Sequence, residues 1–452
     1  VSTSVLWFRR DLRLRDHPAL AEAAAAGPVA GLFVLDPRLW AGAGDVRRAW
    51  LAACLRSLDD SMQGRLIVRW GDPAAEVPAL ARAVDADRVL VTGECTPYGA
   101  ARDGRVRDAL GTIRLDEVGT PYAVAPGTVR NRAGDPYRVF TPFSRAWREV
   151  PVAGPLSAPD VDWLGDPEDG ADATRRAHEA LRSALDPAPA SLPPAGEDAA
   201  LERWRAFAGS DLADYADARD LPAADRTSRM SPYLRFGVVH PRQLLHQVRS
   251  HRGEGRQTYE NELAWREFYA DVLLHQPASA WSDLRPLGLA YDDPGPELEA
   301  WRRGRTGFPV VDAGMRQLLA EGWMHNRVRM ITASFLTKDL HAWWPVGARH
   351  FLAHLLDGDL ASNNHGWQWV AGTGTDAAPY FRVFNPISQG LRFDPGGDYV
   401  RRWVPELAHL PGKVAHEPWR HPDGYAHGYP ERIVDHDEER RDALARYQAA
   451  RA

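Results

Sequence analysis

The run from Asp357 to Tyr380, DGDLASNNHGWQWVAGTGTDAAPY, puts two carboxylates, a pair of adjacent amides, two tryptophans and a Gly/Thr-rich turn into one short stretch. Asn363 and Asn364 offer donors and acceptors that an apolar core cannot satisfy, so the pair calls for a polar, planar partner. Trp367 and Trp369 lie two residues apart. On a helix they point in different directions, one toward a buried group and the other toward a cleft. Taken alone, a W-x-W pair also fits a core helix with a polar cap. A second cluster, Thr227, Ser228, Arg229, Met230 and Ser231, joins hydroxyls and an arginine to a run of backbone N–H groups. Taken alone this run reads as a helix N-cap, although the same groups are also right for a pyrophosphate. His350 and His354 are four apart but have no acidic third ligand beside them, so no metal site is expected.

The elements that must position these residues change character along the chain. Val5 to Phe8, Val29 to Leu35, Leu66 to Trp70 and Arg88 to Val91 are short apolar runs that predict buried parallel strands. Ala-rich stretches such as Ala19 to Ala26 and Ala74 to Ala83 predict the helices between them. The result is a doubly wound α/β domain. Arg9, Arg10 and Asp11 follow the first strand where a nicotinamide dinucleotide domain would carry G-x-G-x-x-G, which removes the main support for a dehydrogenase. From Gly127 to Ala199 the chain is rich in Pro, Gly, Ala and acids. It includes Pro187 to Pro194 (PAPASLPP) and predicts a long connector, ordered around Phe140 to Trp147 and mobile near Pro187. From Leu201 onward helix formers dominate. The expected organisation is an N-terminal doubly wound, Rossmann-like parallel-sheet domain over residues 1–126, a connector over 127–199, and an all-helical domain over 200–452.

Composition sets outer bounds. A chain of 452 residues is long enough for two or three domains. It has no apolar run of bilayer length and no basic-then-apolar leader, so a cytoplasmic protein without a membrane partner is expected. Cys54 and Cys95 are the only cysteines, too few for a disulfide framework or a four-cysteine cluster. The formal charge of −6 does not exclude nucleic acid, because a local groove and not the average meets the phosphates.

Longer motifs narrow this reading. Asn261 to Tyr269 (NELAWREFY), Thr306 to Gln317 (TGFPVVDAGMRQ), Gly322 to Lys338 (GWMHNRVRMITASFLTK), DGDLASNN, WQW and TGTDAAPYFRVFNP together resemble the flavin domain of the photolyase/cryptochrome family. Leu6 to Leu20 (LWFRRDLRLRDHPAL) and Val139 to Trp147 (VFTPFSRAW) extend the resemblance to the N-terminus. The similarity is to a class I photolyase for cyclobutane pyrimidine dimers. It implies an enzyme, a deoxyribodipyrimidine photo-lyase acting as a monomer on UV-damaged DNA, with FAD active as the anionic reduced form.

The resemblance also assigns roles. Tyr215, Thr227, Ser228, Arg229, Met230 and Ser231 would hold the phosphates and ribityl chain of FAD. Arg266, Trp323, Arg327, Asp357, Asp359 and Asn363 would surround its isoalloxazine and adenine, with Asp357 paired to Arg329 and Asn363 against flavin N5. Glu262, Trp265, Arg266, Asn326, Met330 and Trp369 would form the lesion site. Glu262 and Trp265 are three apart, and Asn326 and Met330 four apart, so each pair shares a helical face. Two aromatics around polar groups suit a dimer flipped out of the duplex, a step for which photolyases are a standing example. Arg219, Arg327 and Arg382, with Arg392 a further candidate, would meet DNA phosphates.

Trp367 and Trp344 match the first two positions of an electron relay that reduces oxidised flavin in light. The third position, usually Trp, is Tyr291. A tyrosine must lose its proton as it is oxidised, so terminal transfer is expected to be slower, pH-sensitive, or rerouted through another aromatic. The α/β domain would carry an antenna. Cys95 to Gly99 (CTPYG) is similar to an element of members that use 8-hydroxy-5-deazaflavin, favoured here over methenyltetrahydrofolate, with Arg10, Asp36 and Glu94 at the ligand; Asp36 and Glu94 also fit plain strand ends. A (6-4) photoproduct enzyme is disfavoured because His325 and Asn326 stand where that branch has a His pair. A signalling cryptochrome without turnover is the competing reading.

Overall fold

The computed structural model describes residues 2–167, 170–186, 192–293, 295–376 and 382–451. These divide into two compact units. The first comprises residues 1–213 and 228–277, the second 214–227 and 278–452.

The first unit is built on five parallel strands: β1 (Ser4–Phe8), β2 (Val29–Leu35), β3 (Ile67–Trp70), β4 (Arg88–Val91) and β5 (Arg114–Glu117). Their order is β3-β2-β1-β4-β5. Ser4 of β1 lies beside Val29 of β2 on one side and Arg88 of β4 on the other. Every residue of β1 and β2 is buried, as expected where helices cover both faces of a parallel sheet. The strand β5 was not anticipated. It reads RLDE and lies at the sheet edge with no buried residue, so it carries no apolar run to betray it.

The helices that directly follow β1, β2, β3 and β4 each begin with proline: Pro18–Ala26, Pro37–Ala41, Pro73–Ala83 and Pro97–Leu110. Each is capped by the residue before it: His17, Asp36, Asp72 and Thr96 accept from a backbone N–H of the first turn. A fixed φ and a spare donor explain this placement of proline, and the caps satisfy one orphan N–H each.

The stretch expected as a connector contains packed structure. Helix Phe140–Glu149 buries Phe140, Phe143 and Trp147. Val29 donates to Asp162 O and accepts from Leu164 N, both at 2.9 Å. Helix Ala171–Ala184 lies along β3 and helix Asp45–Ser61. The mobility expected near Pro187 falls on residues 187–191, outside the described residues. The first unit is completed by helices that include Glu197–Ser210, Ser231–Phe236, Pro241–Ser250 and Glu254–His275.

The second unit is helical and, among its described residues, contains no strand. Its principal helices are Pro309–Glu321, Asn326–Ser334, Trp344–His354, Leu360–Ala371 and His436–Ala449. They enclose an apolar core whose large side chains include Trp301, Phe308, Trp344, Phe351 and Trp367. No helix among the described residues is long and apolar enough to cross a membrane.

Candidate active site

In the first unit Glu262, Trp265 and Arg266 ride on helix Glu254–His275. Glu262 and Trp265 share a face and are both half-buried. Trp265 stacks on Phe140 with centroids 3.6 Å apart and an interplanar angle of 7°, and leans on Tyr269 at 5.3 Å. The indole is therefore a rigid platform. Arg266 donates to Pro121 O (3.0 Å) and Leu234 O (3.3 Å), with its guanidinium 4.5 Å over the Tyr122 ring. These contacts make it a brace between the helix and two neighbouring segments. Glu267, the next residue, was missed by motif reading. Buried, it accepts from the N–H groups of Ala123 and Val124 and from Trp147 Nε1 (2.6 Å). Burial pushes its carboxyl up despite these donors.

Ser228 Oγ accepts from Met230 N (3.3 Å) and from the Tyr259 hydroxyl (3.1 Å), and Arg203 Nε donates to Ser228 O at 2.7 Å. Arg229 sits at φ +50°, the left-handed region, and turns the chain toward helix Ser231–Phe236. The buried Thr227 Oγ1 has no hydrogen-bond partner in the described structure.

In the second unit, helix Leu360–Ala371 is capped by Asp359, which accepts from Ser362 N at 3.0 Å. Its polar residues are held on a buried face. Asn364 Nδ2 donates to Ala280 O. Gln368 donates to Ser279 O (2.7 Å) and accepts from Leu284 N (2.9 Å). His365 bonds to Ala361 O (2.8 Å) and Ser279 Oγ (2.9 Å), and burial pulls its pKa down to about 4. Asn363 differs. Its Nδ2 donates to Ala348 O (3.2 Å) and Asn364 Oδ1 (2.8 Å), so both amide hydrogens are committed and Oδ1 is the atom left to accept.

The expected pairing of Asp357 with Arg329 is present, at 2.8 Å, through Oδ2. Asp357 is buried, and its Oδ1 has no hydrogen-bond partner in the described structure. Thr227 Oγ1 and Asp357 Oδ1 are thus two orphaned buried oxygens at positions assigned to FAD. Buried polar atoms of native proteins are nearly always paired. A ligand with hydroxyl and N–H donors fits both.

Asn326 opens helix Asn326–Ser334 and is exposed, while Met330, one turn on, is half-buried against the core. Arg327 Nη1 lies 3.8 Å from Met330 Sδ, and its guanidinium binds Asp220 (Nη2 at 2.8 Å) above the Phe393 ring. Arg219 Nε is 4.0 Å from the same carboxylate and its guanidinium 5.8 Å over Tyr215. Two arginines assigned to phosphate thus share one acid. The guanidinium of Arg382 is 6.0 Å over Trp369, which is half-buried, and Arg392 is 5.0 Å over Phe393. Trp323 is buried edge-on to His325.

Trp367 is buried, as the difference in direction from Trp369 required, with Phe351 at 5.0 Å and Trp301 at 6.1 Å. Trp344 is fully buried and donates to Asp283 Oδ1 at 2.6 Å. Gly347, three residues on from Trp344, lets the Trp367 ring lie against the same helix: a Cβ there would come within 2.2 Å of Cη2. Tyr291 is half-buried.

Arg10 and Glu94 follow β1 and β4, the paired strands between which strand order reverses and doubly wound sheets bind ligands, and Asp36 follows the adjacent β2. Asp36 caps its helix and accepts from the Tyr98 hydroxyl. Glu94 pairs with Arg102 at 2.9 Å. Burial alone would raise Glu94, but Arg102, Arg9 and Arg10 outweigh it and bring it to about 2.

Comparison with known proteins accounts for both units. Residues 4–160 match the family described as DNA photolyase, and residues 259–449 match the FAD binding domain of DNA photolyase. The deoxyribodipyrimidine photo-lyase of Streptomyces griseus is 43% identical, with 100% of this chain and 99% of that protein covered. That of Escherichia coli strain K12 is 39% identical, with 100% and 99% covered. A bacterial class III photolyase from Agrobacterium tumefaciens superposes with a TM-score of 0.91 at 35% identity, over 100% of this chain and 98% of that one. An archaeal photolyase from Sulfolobus tokodaii, solved with two FAD molecules, gives 0.84 at 28%, over 99% and 100%. A double-wound sheet joined to a helical flavin domain defines the class, a light-dependent flavoprotein. The chain belongs to the DNA photolyase family.

Proposed function

We propose that the protein reverses cyclobutane pyrimidine dimers in UV-damaged DNA by light-driven electron transfer, as a cytoplasmic monomer. Two orphaned buried oxygens at FAD positions carry this reading within a chain that has the photolyase flavin domain. Bound reduced FAD supplies light absorption and the electron. One electron passes to the dimer, the two cyclobutane carbon–carbon bonds cleave, and the electron returns, so no net redox occurs.

Each residue then has a task. Thr227, Ser228, Arg229, Met230 and Ser231, with Tyr215, hold the phosphates and ribityl chain. Asp357, Asp359, Trp323 and Arg327 line the rings, and Asn363 presents Oδ1 as a fixed acceptor for a flavin N–H. Arg266 supports the helix that carries Glu262 and Trp265. Glu262 donates or accepts at the pyrimidine edge and stabilises the charge that develops on the dimer. Asn326 binds a second polar edge. Trp265, Trp369 and Met330 give the apolar cyclobutane its stacking surfaces. Arg219, Arg327 and Arg382 position the phosphates, while the weak stacking of the dimer lowers the cost of flipping and gives selectivity.

The strand ends of the α/β domain hold the antenna, with Arg10, Asp36 and Glu94 around it. The CTPYG segment, whose Tyr98 reaches Asp36, favours a deazaflavin over a folate. Extraction and chromatography of the second chromophore from purified protein decides between them.

The deciding experiment illuminates photoreduced protein with an oligonucleotide bearing a defined thymine dimer and counts restored thymines against a dark control. Light-dependent reversal is expected. Its absence, with FAD and DNA both bound, overturns the assignment and directs attention to (6-4) lesions and light-dependent protein partners.

A further inference from the structure

The relay positions assigned by resemblance end at Tyr291, but the rings in the second unit continue elsewhere. Trp343 directly precedes Trp344, with centroids 6.4 Å apart at 67°. The Trp343 ring also lies 6.3 Å from Tyr291, at 35°. Both separations fall within the contact range of aromatic pairs. Trp343 is 37% exposed, whereas Trp344 is fully buried. Both indole N–H groups point to one carboxylate: Asp283 Oδ1 lies 2.6 Å from Trp344 Nε1 and 3.4 Å from Trp343 Nε1.

We propose that Trp343, and not Tyr291, is the surface terminus of the electron relay that runs through Trp367 and Trp344. This rests on the FAD reading. One electron leaves the Trp343 ring for oxidised Trp344, which has itself refilled Trp367 after that ring reduced light-excited oxidised flavin. The Trp343 Nε1 proton passes to Asp283 or to water, and a thiol in solution returns the electron and a proton to the neutral indolyl radical. An indole can be oxidised first and lose its proton later, with the Asp283 charge stabilising the cation meanwhile. A phenol must do both at once. Burial and the charge of Asp283 hold the Tyr291 proton on, raising its pKa well above that of a free phenol. The exposure of Trp343 also gives the external thiol access that a buried ring lacks.

The test is electron paramagnetic resonance and transient absorption of the long-lived radical formed when flavin-loaded protein is illuminated without DNA. Flavin absorbance and circular dichroism serve as loading and folding checks. A tryptophanyl signal is expected in the unaltered protein, lost in Trp343→Phe and retained in Tyr291→Phe. A tyrosyl signal in the unaltered protein, or a tryptophanyl signal that survives Trp343→Phe, overturns the proposal. The spectrum of the unaltered protein decides without any variant. Dimer reversal by unaltered protein reduced chemically is scored separately, so failure of the relay is distinguishable from failure of the repair reading.

Discussion

At Asn363 a single amide is oriented by what its nitrogen donates to. Replacing it by Asp sets a carboxylate oxygen against Ala348 O and Asn364 Oδ1. Two donated bonds become two repulsions, at a cost of about 1–3 kcal/mol. Asn363→Asp should lower the melting temperature and the flavin content together; unchanged values for both would remove the orienting role. Asp220 sits between Arg327 and Arg219 and cancels part of their charge. A partly exposed pair of this kind is worth about 0.2–1 kcal/mol, so Asp220→Asn should tighten DNA binding by up to about fivefold and more at low salt. Weaker binding in a salt titration would mean that Asp220 aims the arginines instead of masking them.

Helix Leu360–Ala371 is organised by its neighbour as much as by its own sequence. Gly347 is the contact that admits the Trp367 ring, and an added Cβ would meet Trp367 Cη2 at 2.2 Å and Leu336 Cδ2 at 2.5 Å. Neither group has room to retreat within a packed core. Gly347→Ala should therefore cost about 1–3 kcal/mol and displace the indole. Thermal unfolding together with tryptophan fluorescence reads both effects; a variant with native stability and spectrum would show that the two helices can separate without loss.

Across the whole molecule, His325 and His365 are held near pKa 4 and His350 near 3, with burial the leading cause each time. Each stays neutral when folded and takes a proton when unfolded below about pH 6.5. Their stabilising contribution is complete above the unfolded value and is lost as pH falls toward the folded one. Buried carboxyls such as Asp339, pushed up to about 6 by burial, act in the opposite sense, so a difference experiment isolates one histidine. Replacing His365 by Asn removes one such titration. Between about pH 6 and pH 4.5 the unaltered protein should lose up to about 1.4 kcal/mol per pH unit more than His365→Asn. Parallel stability curves for the two proteins would contradict this.

Strand and helix types came through in the sequence where local rules suffice. Apolar runs marked β1 to β4, and long motifs carried the family with its candidate residues. The WW pair at Trp343 and Trp344 was equally visible, yet nothing local says which ring is buried. The edge strand β5, polar throughout, lacked any local signal. Order around Phe140–Trp147 was legible, but the helix Ala171–Ala184 was obscured by Pro and Gly around it, because its stability comes from the surfaces it covers. Tertiary structure alone decided that Arg266 braces backbone carbonyls, that Glu267 collects three donors, that Asp220 serves two arginines and that Asp283 faces two indoles. Apart from Arg219 beside Asp220, these pairings join residues far apart in the chain. Side-chain chemistry can be read from composition and spacing, but the partner of a buried polar group depends on which segments the fold brings within hydrogen-bond distance.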